Sequence, residues 1–166
     1  MDVILNKTDY QNVEVLIVDH ESKVHKTQVF LEKLKLDPRV RILSHKGEFN
    51  YSAINNMAAM EARGTILALV NNDIEVVESG WLKEMVSHVV RAEVGAVGAK
   101  LLYPNGTIQH AGVVIGLGGI AGHAFYSNSR NNVGYFGQAS LARSVSAVTA
   151  ACLLVRKSVF LEVNGL

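Results

Sequence analysis

Three predicted strands of this chain end in side chains that could bind a nucleotide or a metal ion. The endings are "DH" at 19–20, "HKG" at 45–47 and "NND" at 71–73. In an open parallel sheet, ligands bind beyond the carboxyl ends of the strands. A carboxylate beside amides offers the hard oxygen ligands that suit Mg²⁺ or Mn²⁺ with a diphosphate. Because Asn and Asp also close turns on their own backbone, the pattern at 71–73 fits a turn and a site equally well.

Alternating strands and helices must position these endings. Apolar, β-branched runs predict strands at 13–20, 39–45, 65–71, 94–103 and 144–155. Helical spacing of apolar residues predicts helices at 21–36, 50–63, 81–91 and 156–163. We expect Pro38 to end the first helix and Gly64 to cap the second. The alternation predicts an α/β fold, with a mainly parallel twisted sheet and helices on both faces, in one domain over residues 1–166.

The region after residue 103 departs from this alternation. The pair Asn105-Gly106 predicts a tight β-hairpin. Residues 117–143 are rich in Gly, Asn and Ser and predict a long loop. We expect its part from Gly118 to Arg143 to be mobile without ligand and to contribute to an acceptor surface.

The sequence "GLGGIAG" at 116–122 has the glycine spacing of a dinucleotide-binding loop. Such a loop needs a helix directly after it and an acidic residue about 20 positions further on. No helical period follows, and the next acidic residue is Glu162. We therefore predict a glycine-rich hairpin and loop that bind neither NAD nor FAD.

Composition excludes several other classes of protein. Hydrophobic residues make up 49% and charged residues 19%, so a folded domain is expected. A net charge of +1 gives no argument for a nucleic-acid partner. Cys152 is the single cysteine, which excludes an internal disulfide and favours a reducing compartment, and we expect a buried thiol. The six histidines show no i, i+4 pair for zinc, and His123 is expected to be a solvated loop residue.

Five blocks of the sequence resemble a known enzyme family. The blocks are "VEVLIVDH", "INNMAAMEARGTILALVNNDIEV", "WLKEMV", "VGAVGAKLLYPNGTIQHAGVVIG" and "AVTAACLLVRKSVFLEVNGL". In this order they resemble the nucleotide-sugar glycosyltransferases with the GT-A fold. The resemblance is greatest to the rhamnosyltransferase-like bacterial branch, which builds cell-surface polysaccharides.

The resemblance assigns a role to the "NND" segment. It stands where the family has its D-x-D motif, with Asn71 in the first acidic place and Asp73 retained. The family then implies that Asp73 binds a divalent cation, Mg²⁺ or Mn²⁺, on the diphosphate of the donor. Asn72 is implied to lie near the ribose, and Asn71 to belong to the same nucleotide site.

Two further nucleotide-binding residues follow from the resemblance. Asp19 matches the aspartate that contacts the base. Asn56 matches the asparagine of the family's A-R-N-x-G segment, in which Ile54 replaces the arginine here.

The resemblance also implies that the domain is incomplete. No residue of the chain matches the family's catalytic base, which is expected beyond Leu166. A further strand is expected before residue 1, between the strands at 13–20 and 65–71. We therefore expect slow sugar transfer by residues 1–166, reduced stability, and self-association through unpaired strand edges.

The function implied is transfer of a sugar, with inversion, from a nucleotide diphosphate sugar to a hydroxyl group. The acceptor would be a saccharide or a lipid-linked saccharide, and the location cytoplasmic or peripheral at the inner face of the membrane. The alternative is a non-catalytic nucleotide-binding α/β module, because "NND" holds one carboxylate and no base is found.

Overall fold

The computed structural model describes residues 2–166 and has an α/β fold. Its helices are α1 Asp2–Lys7, α2 His25–Leu34, α3 Tyr51–Glu61, α4 Trp81–Val89 and α5 Lys157–Glu162. Its strands are β1 Val15–His20, β2 Val40–His45, β3 Ile66–Val70, β4 Ala96–Gly98, β5 Leu101–Leu102, β6 Ile108–His110, β7 Val113–Ile115, β8 Ala121–His123 and β9 Cys152–Arg156. The α/β prediction is confirmed.

The larger sheet has the order β3-β9-β4 and is covered on both faces. β9 is antiparallel to both neighbours, so β3 and β4 run in the same direction without touching. Alternate residues of the sheet enter two cores. Helix α4 covers one core, formed by Leu82, Met85, Val89, Leu101, Cys152 and Leu154. Helices α3 and α5 cover the other, formed by Ala59, Leu67, Leu69, Val155 and Phe160.

Two cations at the start of α5 fasten this sheet to its helices. The Arg156 guanidinium donates to Val89 O, Arg91 O and Val94 O at 2.6–2.8 Å. The Lys157 ammonium donates to Ala62 O at 2.7 Å and to Met60 O at 3.2 Å. The last carbonyls of a helix have no partner within it and carry partial negative charge. Both side chains therefore satisfy the carboxyl ends of the covering helices α4 and α3.

The smaller sheet pairs β1 and β2 in parallel. All six residues of β1 are half-buried, and α2 buries none of its residues. Within residues 2–166, no strand pairs with the second edge of β1 or of β3. The hydrogen-bonded strand pairs are thus mostly antiparallel, and the parallel part of the fold is this half-covered pair.

Two hairpins extend from the sheets. In the first, Asn105 Oδ1 accepts from Thr107 N–H, Gly106 has φ +79°, and β5 pairs with β6, as the Asn-Gly signal predicts. In the second, β7 and β8 pair antiparallel around "GLGGI". The predicted glycine-rich hairpin is confirmed at this place.

Three predicted elements differ from the structure. The strand at 94–103 is divided into β4 and β5, because the chain leaves the larger sheet after Gly98 and Lys100 donates to Arg130 O and Ala139 O. The strand at 144–155 begins only at Cys152, because the segment before it bonds to the β7–β8 hairpin and to a histidine instead of a ladder. Helix α3 ends at Ala62 in an extended conformation, so Gly64 is not its cap.

Candidate functional site

The carboxyl ends of β1 and β2 bring polar and aromatic side chains together. The parallel register places His20 opposite His45, with their Nδ1 atoms 3.2 Å apart. One Asp19 carboxylate oxygen accepts from Ser22 N–H at 3.2 Å, which fixes the side chain at the turn after β1. The exposed Phe49 ring meets the His20 ring edge to face at 5.7 Å. The predicted residue Asp19 therefore lies beside a partly exposed group of rings.

The segment after β3 is a turn that exposes its acidic side chain. Asn71 N–H donates to Ala151 O at 2.9 Å, and Ile74 N–H closes the turn on Asn71 O at 3.4 Å. Asn72 and Asp73 are both exposed at this turn. The turn and the site are thus compatible, because the backbone bonds form the turn and leave the Asp73 carboxylate open to a ligand.

The donor set at this turn fits a small divalent cation. Mg²⁺ is bound in proteins through one or two carboxylates, with substrate phosphates and water completing its shell. One exposed carboxylate beside amide oxygens meets that requirement once a diphosphate is present. Among residues 2–166, no group of three His, Cys, Asp or Glu side chains converges as a preformed metal cage.

Asn56 lies elsewhere, against the end of the described chain. Its Oδ1 accepts from Leu166 N–H at 3.0 Å, and its Nδ2 donates to Leu166 O at 3.3 Å. Gly165 has φ +82°, and a methyl group there would collide with the Asn56 amide, so only glycine fits. The side chain predicted to bind a nucleotide is therefore engaged by backbone in this structure, and a nucleotide contact would need it to exchange partners.

A second histidine pair is connected to the "NND" turn by the residues before β9. His110 and His123 approach with their Nδ1 atoms 2.7 Å apart. Burial and the neighbouring His123 lower the pKa of His110 to about 4, so it is neutral near pH 7. Its Nε2 accepts from Gly112 N–H and Thr149 N–H, which places its proton on Nδ1. His110 Nδ1–H therefore donates to His123 Nδ1.

This pair is linked to the strand end through one loop. Thr149 donates to His110, and two residues later Ala151 O accepts from Asn71 N–H. His123 is exposed, as expected, but it lies on β8 and not in a loop, and its ring is oriented by His110. The missed signal is the spacing "QHAG" to "AGHA", which puts the two histidines on adjacent hairpins.

Cys152 is a buried structural residue of the core. Its side chain is buried in the core under α4, and burial raises the pKa of the thiol to about 11. A thiol that stays protonated at neutral pH is a poor nucleophile and metal ligand. The predicted structural role is confirmed.

Comparison with known proteins assigns the class. The family model "Glycosyl transferase family 2" matches residues 2–163, so the chain belongs to this family. Its fold is the GT-A glycosyltransferase fold, as the sequence blocks imply.

Two curated relatives match the chain along its whole length. It is 48% identical over 167 residues to "Uncharacterized protein y4gI" of Sinorhizobium fredii, covering 100% of this chain and 18% of that protein. It is 45% identical over 166 residues to "O-antigen biosynthesis protein RfbC" of Myxococcus xanthus, covering 99% of this chain and 13% of that protein. The chain thus spans less than a fifth of the length of either relative.

A solved structure supports the fold. The mannosyltransferase PcManGT from Pyrobaculum calidifontis, in complex with GDP-Man and Mn²⁺, superposes with a TM-score of 0.68. Sequence identity is 17%, and the match covers 99% of this chain and 41% of that one. At this identity the likeness concerns the fold alone.

Proposed function

We propose that this chain is the donor-binding part of an enzyme that transfers a sugar from a nucleotide diphosphate sugar to a hydroxyl group, in cell-surface polysaccharide synthesis. The observation that carries the proposal is the exposed Asp73 carboxylate on the turn after β3, in a chain of glycosyl transferase family 2. The relative named for O-antigen biosynthesis supports the pathway class.

Asp73 would hold Mg²⁺ or Mn²⁺ against the donor diphosphate. A bound divalent cation neutralises the charge that builds on the diphosphate as the sugar leaves. Asn71 and Asn72 would contact the nucleotide beside it, and Asp19 would contact the base next to the His20 and Phe49 rings. Asn56 would join this site only after releasing Leu166.

Inversion at the anomeric carbon requires a carboxylate or another base that takes the acceptor's proton. We assign that role to no residue of 1–166. The acceptor would be a saccharide or lipid-linked saccharide, and the reaction would take place in the cytoplasm or at the inner face of the membrane. Residues 2–166 contain no helix long and apolar enough to cross a bilayer.

Calorimetry tests the donor site. Uridine, guanosine and thymidine diphosphates are titrated into the wild type and Asp73→Asn, with and without Mn²⁺. We expect Mn²⁺ to tighten binding of at least one diphosphate in the wild type and to have little effect in the variant. Glu93→Gln, which alters another exposed carboxylate in a turn, is the matched control and should keep the metal effect. Equal metal dependence in wild type and Asp73→Asn would contradict the assignment.

The alternative is a nucleotide-binding module without catalysis. It is favoured by the single carboxylate in "NND". Both functions predict the same binding, so turnover by the full-length protein separates them, because we expect residues 1–166 alone to transfer sugar slowly. Release of nucleoside diphosphate that depends on an added acceptor would establish transfer, whereas binding without any release would support the module.

A further inference from the structure

The β7–β8 hairpin presents an aliphatic surface that the donor site does not use. Residues 113–122 read "VVIGLGGIAG" and contain no charged or hydrogen-bonding side chain. Ile120 is 85% exposed and Ile115 is 64% exposed, with Val114 and Leu117 also exposed. Soluble surfaces seldom carry such contiguous aliphatic groups without a partner.

The hairpin is held firmly enough to present these groups. Val113 N–H donates to Ala147 O and Ala124 N–H to Gly112 O, which anchors its base. Gly116 N–H donates to Ile120 O, which closes its tip. Leu117 packs back over Gly122, where a Cβ would collide with its side chain, so Ile115 and Ile120 protrude.

The charge of the surrounding sequence indicates what covers this tip. Between Glu93 and Glu162 there is no Asp or Glu, and the interval carries five cations, Lys100, Arg130, Arg143, Arg156 and Lys157. The remaining residues carry 11 basic and 15 acidic side chains, a formal charge of −4. Such asymmetry within a nearly neutral chain is typical of a protein that meets an anionic surface.

Three of these cations belong to the segment that carries the hairpin. Arg143 donates to Ala111 O at 3.1 Å, one residue before Gly112 at the foot of β7. Lys100 donates to Arg130 O and Ala139 O, so its ammonium group lies against the loop that follows β8. Arg156 and Lys157 donate instead to carbonyls at the ends of α4 and α3.

We propose that the β7–β8 hairpin inserts its tip into the surface of a bilayer containing anionic lipids. Aliphatic tips enter the boundary between headgroups and acyl chains, and nearby cations are attracted to anionic lipids. Stable attachment usually needs two such signals, and this face supplies both. The proposal deepens the location given above and does not depend on sugar transfer.

Two other occupants fit the chemistry less well. A second copy, joined through the same face, would bring cations of the two hairpin segments towards each other, and their charges would repel. A saccharide needs hydrogen-bonding partners, which residues 113–122 do not offer.

Co-sedimentation with vesicles tests the proposal. We expect the wild type to bind vesicles of phosphatidylcholine and phosphatidylglycerol better than phosphatidylcholine alone, and to bind less as salt is raised. Ile115→Ser with Ile120→Ser should lower partitioning at least about 10-fold, because two aliphatic anchors are lost. Both side chains are exposed, so the variant should retain the wild-type unfolding midpoint.

The matched control is Val24→Ser with Leu36→Ser, at positions just before and just after α2. These side chains are 62% and 84% exposed, nearly the same as Ile115 and Ile120, and lie far along the chain from the hairpin. The control should bind vesicles like the wild type.

Three outcomes would overturn the proposal. They are absence of wild-type binding to either vesicle, equal loss in tip and control variants, and a tip variant that abolishes self-association in light scattering while vesicle binding is unchanged. The last result would assign the hairpin to a second copy.

Discussion

The β3-β9-β4 sheet and the β1-β2 sheet of this molecule have similar strand sequences and very different surroundings. "ILALV" of β3 and "VLIVDH" of β1 are both aliphatic runs. β3 lies in a sheet whose two faces are covered by helices, whereas β1 has only half-buried residues beside an α2 that buries none. An aliphatic strand therefore needs other elements to bury its side chains, and its own sequence does not determine whether they do.

The nature of the pairing makes this requirement greater for β1. Parallel strands are normally buried on both faces. β1 and β2 are parallel, and within residues 2–166 the second edge of β1 has no partner strand. The half-covered sheet also carries Asp19, which we propose contacts the donor base, so we expect donor binding to stabilise this sheet.

Substituting one phenylalanine in each region tests the comparison most strongly. Phe160 of α5 is 4% exposed in the covered core, and Phe30 of α2 is 47% exposed. We expect Phe160→Ala to lower the free energy of unfolding by about 3–5 kcal/mol. Phe30→Ala should cost less than about 1 kcal/mol, because little contact is lost. Urea denaturation measures both, and equal losses would show that α2 is covered in solution.

The burial of His110 predicts that the stability of the protein depends on pH. The pKa of buried His110 falls from 6.5 to about 4, so the unfolded chain binds the proton more readily. This contribution to stability is complete above pH 6.5 and is lost as the pH falls towards 4, by roughly 3 kcal/mol. We expect the unfolding free energy of His110→Gln to depend less on pH in that window. A variant as pH-dependent as the wild type would show that another group titrates there.

One edge of β3 pairs with no strand within residues 2–166, and a charge placed there is predicted to weaken self-association. Ala68, at the centre of β3, is exposed, and a lysine on an edge strand opposes pairing with another chain. We expect Ala68→Lys to raise the dimer dissociation constant roughly 10-fold, about 1.4 kcal/mol. Ala96→Lys, on the exposed residue of β4, is the control and should have a smaller effect. Light scattering over a range of concentrations measures the dimer dissociation constant. A wild type that stays monomeric would refute the prediction that the β3 edge pairs with another chain.

The smallest expected effect concerns the ion pair beside the smaller sheet. Burial raises the pKa of Glu14, but bonds from Arg63 N–H and the Arg41 guanidinium outweigh it, and the pKa is lowered below 4.5. This contribution is present above pH 4.5 and is lost as the pH falls further.

Glu14→Gln should cost about 1 kcal/mol, and the cost should shrink in high salt. Glu32→Gln, which breaks the exposed pair with Lys35, should cost less than about 0.5 kcal/mol. Equal costs would mean that the half-covered sheet gives Glu14 no added protection from solvent.

Local patterns in the sequence determined most elements and part of the site. Aliphatic runs with polar endings located β1, β2 and β3, and Asn105-Gly106 located a hairpin, because backbone preferences and side-chain periodicity act over a few residues. The same polar endings identified Asp19 and the "NND" turn. The roles of Asn71, Asn72 and Asp73 in binding remain predictions.

Tertiary structure decided what depends on distant partners. Only the fold shows β9 entering antiparallel between β3 and β4, His110 meeting His123, and Asn56 engaged by Leu166. The aliphatic segment at 144–155 became strand only from Cys152, since its earlier residues found partners in a hairpin and a histidine ring. Pairing, burial and pKa are set by neighbours far along the chain, whereas propensity is set by neighbours within a few residues.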